Sequence, residues 1–418
     1  MSPKFTMGDT MTADVADPST VNPLLDTMRP RLTGAWFVSL EDHADIGQSV
    51  DALRRYANTD VSVAVMSELQ AVPPAPRGST ILFEDLKLAV VVPRQGQTIA
   101  GAMAKLSRES DIAEARPEFY LFGLQEFRDT EAATWGVGAT HALQSPYTGK
   151  GIKTAILDTG IDLTHPDFAG RPIVTRSFVN GETIEDVQGH GTHCAGTAAG
   201  RPRSPATPRY GVAPDAELYI GKVLSNAGFG AERDILAGIL WAINQGCEVI
   251  SMSLGSPVRQ GEPYTRVYQR IGQIALDNGS LICAAAGNDS NRAFGAIAPI
   301  SSPANAPSII AVGAVDALYQ PASFSNGGIN PDGGELDLVA PGVGIFSSSP
   351  SPRLYRIMDG SSMACPHAAG VAALWAESDA SLRGQALRDA LTAHARRLPH
   401  NARDVGAGLV TAPQRPSV

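Results

Sequence analysis

The chain is short of cysteine, of long apolar runs and of positive charge. Cys194, Cys247, Cys283 and Cys365 are its four cysteines, and each falls in a stretch that reads as strand or helix. They are expected as buried thiols rather than as a disulfide framework, a usage that favours a reducing compartment. The longest apolar runs, 281–286 and 368–376, fall short of the ~20 residues that cross a bilayer, so both are expected in a core and no membrane partner is expected. The first residues lack the apolar stretch of a secretory signal, and Asp9, Asp14 and Asp17 follow at once. Residence in the cytoplasm, or export by an unconventional route, is the expectation. Lysine and arginine total 33 against 42 acidic residues, a net charge of -9, which argues against nucleic acid as a main partner.

What is present is a globular composition, 43% hydrophobic and 18% charged, in a length that suits one large domain and a smaller one. From residue 153 onward, apolar runs alternate with helical patterns. The runs 153–157, 173–178, 218–223, 248–252, 281–286, 309–314 and 336–339 read as strands buried on both faces. Helices are expected at 190–199, 232–244, 264–278, 362–377 and 383–396. Together they predict an α/β fold, a doubly wound, mostly parallel seven-stranded sheet with helices on both faces. Ligand sites in such sheets lie at the carboxyl ends of strands, where Asp158 and Asn288 fall. Before residue 130 the order is strand 36–40, helix 46–56, strands 61–66 and 80–93, helix 98–107 and strand 118–122. This predicts a small α+β unit of ferredoxin-like type. Pro73, Pro74 and Pro76 mark a loop, and both chain ends are expected to be flexible.

Three short motifs carry the chemistry. Ala155-Ile156-Leu157-Asp158-Thr159-Gly160 ends a strand on an acid, Gly189-His190-Gly191-Thr192-His193 opens a helix on an imidazole, and Gly360-Ser361-Ser362-Met363-Ala364 opens another on a hydroxyl. A serine hydroxyl needs a base before it can attack. His190 could take its proton and return it to a leaving group, while Asp158 holds the other ring nitrogen. Each residue alone has an ordinary reading as a strand-end, helix-start or N-cap residue. Three motifs in the order Asp, His, Ser make that coincidence hard to sustain.

This set resembles the subtilisin-like serine peptidases, the subtilases, over about residues 136–410. The resemblance implies a serine endopeptidase with Asp158, His190 and Ser362 as triad, working through a covalent acyl-enzyme. It gives the Asn288 amide and the Ser362 backbone N–H as oxyanion donors. It implies a peptide bound as an added strand between Ser253-Leu254-Gly255 and Gly228-Phe229-Gly230, with Ala285, Gly287 and Ser301 lining a pocket for sizeable apolar side chains. Ser361 stands where threonine is usual and keeps the hydroxyl, and Cys194 matches a thiol of proteinase K-like members. No cofactor is required. Asp167 matches a calcium-binding aspartate of many relatives, but 201–210, with Arg201, Arg203 and Arg209, lacks their oxygen-rich loop, so no metal residue is assigned.

The resemblance also makes 32–124 an inhibitory pro-domain and intramolecular partner of the enzyme. Residues 1–31 are then a flexible start, 125–135 a linker with the processing site, 136–410 the catalytic domain and 411–418 a tail. Residues 118–124 are the segment expected in the cleft, with cleavage between about 122 and 134. A monomer is expected. The rival readings are a dedicated processing peptidase for one partner and a non-catalytic binding protein of subtilase fold.

Overall fold

The computed structural model describes residues 32–65, 76–97, 99–119, 129–202, 204 and 206–415. The chain forms two compact units, divided after Gly123.

The smaller unit runs β1 (Leu32–Leu40), α1 (Ile46–Ala57), β2 (Asp60–Ala64), β3 (Ser79–Phe83), β4 (Leu88–Val92), α2 (Ala100–Leu106) and β5 (Ile112–Phe119). Its sheet has the order β2-β3-β4-β1-β5. Setting β2 aside, the remaining four strands have the ferredoxin-like order and antiparallel pairings expected. Where the sequence suggested one strand over 80–93, the chain turns at Glu84–Lys87, with Lys87 at φ 50°, to form a hairpin. β2 then adds at the edge, parallel to β3. Asp45 caps α1 by accepting from Gln48 N, and Leu53, Leu82, Val38, Val91, Met103 and Leu106 fill the core beneath the two helices. Residues 120–128, where the cleft segment and the cleavage point were expected to lie in large part, fall outside the described residues.

The larger unit runs α3 (Trp135–Ala139), β6 (Lys153–Asp158), β7 (Val174–Ser177), α4 (His190–Ala199), β8 (Glu217–Lys222), α5 (Glu232–Asn244), β9 (Val249–Met252), α6 (Arg266–Asp277), β10 (Leu281–Ala285), β11 (Ile310–Val315), β12 (Leu338–Pro341), β13 (Ile345–Ser348), β14 (Tyr355–Met358), α7 (Ser361–Ser378), α8 (Gly384–Ala393) and α9 (Ala402–Val405). Seven strands form one sheet in the order β12-β11-β10-β9-β6-β8-β7, every pairing parallel. β9, β10, β11 and β12 are buried throughout, which is why each appears in sequence as an unbroken apolar run. α4 packs with α7, and α6 packs with α5 and α8, giving a helical layer on either face. From β6 the chain runs out to β7 at the sheet edge, turns back through β8 and passes to the far side of β6 to begin β9, so β8 and β9 flank the strand from which winding starts. Their carboxyl ends frame the crevice in which such sheets place a ligand. Among the described residues, no helix is long and apolar enough to cross a membrane.

Candidate active site

Asp158 closes β6, and its side chain has no solvent exposure. Its Oδ1 accepts from Thr159 N at 2.7 Å. His190 opens α4, and its Nδ1 lies 2.8 and 3.0 Å from the two Asp158 carboxylate oxygens. The helix can start so close to the strand exit because residue 191 is glycine: a Cβ there would lie 2.3 Å from Gly160 O. Burial alone would push His190 toward the neutral ring. Against that burial, the charge and hydrogen bond of Asp158, together with the Cys194 sulfur, hold the imidazole pKa well above 6.5. The neighbouring Cys194 thiol is itself pushed up by burial.

Asp186, which the sequence reading passed over, fixes this corner. Its Oδ1 accepts from Thr159 Oγ1 at 2.8 Å and Gly189 N at 2.7 Å, and its Oδ2 accepts from Thr192 N and Thr192 Oγ1, both at 2.7 Å. Thr159 Oγ1 accepts in turn from Gly191 N at 2.8 Å. One buried carboxylate thus ties the residue after Asp158 to the backbone on both sides of His190. An acid four residues before a helix-opening histidine was the available signal.

Ser362 lies in the first turn of α7, a helix that buries all but four of its eighteen residues. Its N–H is among the helix-start donors without an intrahelical acceptor. Pro366 has no N–H, so the Ser362 carbonyl also lacks its helical partner. Ser253 Oγ donates to that carbonyl at 2.7 Å and Cys194 Sγ at 3.5 Å. Cys194 Sγ also lies 3.8 Å from His190 Nδ1, so the thiol spans α4 and α7 at the site. The Ser362 hydroxyl donates to Ser253 O at 3.5 Å.

Asn288 follows β10. Its Oδ1 accepts from Ser361 N at 2.8 Å and from Ser361 Oγ at 2.9 Å, while Ser361 Oγ accepts from Gly287 N at 3.1 Å. The hydroxyl at 361 therefore orients the Asn288 amide. Gly360 stands at φ 149°, and a Cβ built on it would lie 3.5 Å from both Asn288 Nδ2 and Ser362 N. Two N–H donors thus lie close together beside the Ser362 backbone, the types of group that can hold a developing oxyanion.

Ser253, Leu254 and Gly255 leave the end of β9, and Ser256 pairs with Ser302 as an isolated antiparallel bridge. A Cβ on Gly255 would lie 3.3 Å from Ser301 Cβ, and one on Gly287 would lie 2.3 Å from Ser301 Oγ. Ala285 ends β10 and is buried. Gly255, Gly287 and Ser301 thus meet at the carboxyl end of the sheet. Gly228 lies in a turn in which Ser225 N donates to Phe229 O, with the Phe229 ring largely exposed, and Gly230 packs against Val223 O. All four cysteines are free and buried.

The family model described as the subtilase family matches residues 149–408. The chain belongs to the subtilases. It is 41% identical to subtilisin E of Bacillus subtilis (strain 168) over 266 residues, 63% of this chain and 65% of that protein. It therefore spans about two thirds of that relative's length. It is 39% identical to M-protease of Shouchella clausii (strain KSM-K16) over 343 residues, 79% of this chain and 83% of that protein, a match that reaches past the larger unit into the smaller one. Among solved structures, sphericase matches with TM-score 0.59 and 31% identity, covering 68% of this chain and all of that one.

Proposed function

We propose that this chain is a serine endopeptidase. Ser362 Oγ attacks the peptide carbonyl while His190 takes its proton, and the new oxyanion is held by Asn288 Nδ2 and Ser362 N. His190 returns the proton to the departing amine. It then draws a proton from water that hydrolyses the ester, and Asp158 steadies the imidazolium in both halves. The observation that carries this reading is the Asp158–His190 pair at 2.8 Å, with the Asn288 amide held by Ser361 beside Ser362.

Peptide entering as an added strand between 253–255 and 228–230 fits the placement of these backbones at the carboxyl end of the sheet. The small residues Gly255, Ala285, Gly287 and Ser301 leave room for an apolar or aromatic side chain. The smaller unit acts as pro-domain and inhibitor, removed by cleavage in the linker between the two units. Its ferredoxin-like strand order and the extended match to M-protease support this assignment.

A fluorophosphonate probe tests the nucleophile. Labelling of the wild type at Ser362, absent in Ser362→Ala and slowed in His190→Ala, is the expected result. No labelling of folded protein whose front unit has been trimmed by trypsin would overturn the enzyme reading.

A further inference from the structure

Asp167 matches an aspartate that binds calcium in many subtilases, and the residues around it do not fit the ion. Calcium takes six to eight oxygen ligands at about 2.3–2.6 Å, several of them anionic. Asp167 is buried, and its Oδ2 accepts from Tyr210 OH at 2.6 Å and Tyr355 OH at 2.9 Å. Both hydroxyls point the positive end of a dipole at the oxygen a cation would need. The surrounding wall is aromatic: Phe346 stacks on Tyr355 at 5.2 Å between centroids, His165 meets Tyr355 edge-on at 5.3 Å, and Tyr210 meets Phe346 edge-on at 5.9 Å.

Backbone oxygens nearby are engaged as well. Arg171 donates to Ala199 O at 2.5 Å and Ala216 O at 3.0 Å, while Arg209 donates to Gly211 O at 3.1 Å and Val212 O at 2.7 Å. These carbonyls belong to the end of α4 and to the approach to β8, the two edges of the loop between them. The Arg171 guanidinium thus bridges both edges of the loop and Arg209 pins the second edge, with fixed positive charge where an ion would otherwise bring its own. Residues 201–210 contain no Asp, Glu, Asn or Gln to add an anionic or amide ligand.

We propose that this chain has replaced a structural cation at Asp167 with a hydroxyl–carboxylate cluster and an arginine clamp, so that the fold here is held without calcium. Tyr210 and Tyr355 fix the carboxylate among rings. Arg171 closes the loop and Arg209 holds its second edge.

The test uses the full chain carrying Ser362→Ala, which prevents self-digestion, and compares its thermal midpoint in excess EDTA and in millimolar calcium chloride. The midpoints are expected to agree, whereas a micromolar site would raise Tm in calcium by on the order of 10 °C. A rise of that size, abolished by Asp167→Asn, would overturn the proposal. A rise that Asp167→Asn retains comes from an ion bound elsewhere and upholds it. The double change Tyr210→Phe, Tyr355→Phe keeps both rings and removes only the hydroxyls. It is expected to lower Tm in EDTA by several degrees, and an unchanged Tm would show that the hydroxyls do not hold the cluster.

Discussion

At the scale of single residues, the site depends on groups that shape the triad rather than belong to it. Ser361→Ala leaves Asn288 Oδ1 held by Ser361 N without the hydroxyl, so the amide is less firmly oriented and kcat is expected to fall on the order of tenfold with little change in KM. Ser361→Thr restores the hydroxyl and should restore kcat. Steady-state kinetics on a chromogenic peptide decide this, and equal kcat for the Ala and Thr variants would remove Ser361 from the account. Asn288→Ala is expected to cost about 100- to 1,000-fold in kcat, the magnitude established for such a donor in subtilases. The raised pKa of His190 sets the pH behaviour. Since the neutral ring is the active base, kcat/KM should climb with pH along a limb that lies above 6.5. Stability runs the other way: the Asp158–imidazolium pair contributes fully below 6.5 and is lost as pH rises through the folded-state pKa. Asp158→Asn removes the charge, leaves burial in command and should drop the His190 pKa, while costing about 10,000-fold in kcat. Histidine NMR titration beside the pH–rate profile checks both directions, and an acid limb that stays put in Asp158→Asn contradicts the assignment.

At the scale of elements, α4 is placed by backbone contact. Gly191→Ala would press a methyl carbon onto Gly160 O, so the helix start must move away from β6. A loss on the order of 2–3 kcal/mol by urea unfolding is expected, with kcat/KM reduced at least tenfold. Full activity in this variant would mean that His190 does not depend on that contact. Most strands of the large sheet were legible because burial on both faces leaves unbroken apolar runs, and each of the seven appears within two residues of its expected position; β7, also expected to be buried on both faces, is instead a part-exposed edge strand that pairs with β8 alone. The hairpin of β13 and β14 was not legible. Its strands have four residues each, and Tyr355–Met358 is mostly part-exposed, so no run or alternation marks it. β5 begins six residues earlier than expected because Pro117 reads as a strand breaker, yet β5 pairs only with β1 at the sheet edge. The three motifs of the site could be read from sequence because each is local. The long-range bonds of Asp186 to Thr159, Ser253 to Ser362 and Ser361 to Asn288 could not, since these partners lie 27, 109 and 73 positions apart and meet only in the fold.

At the scale of the whole molecule, the two units divide the proposed work. The larger unit holds every residue assigned to catalysis, and the smaller one, with its own core, is proposed to be removed by the enzyme it precedes. Intact mass followed over time, for the purified full chain beside its Ser362→Ala variant, tests this most directly. The account predicts that the wild type loses a fragment of about the first 120–135 residues and then cleaves casein, while the variant stays whole and inert. Equal loss of that fragment from both proteins, or casein cleavage by the Ser362→Ala variant, would contradict it.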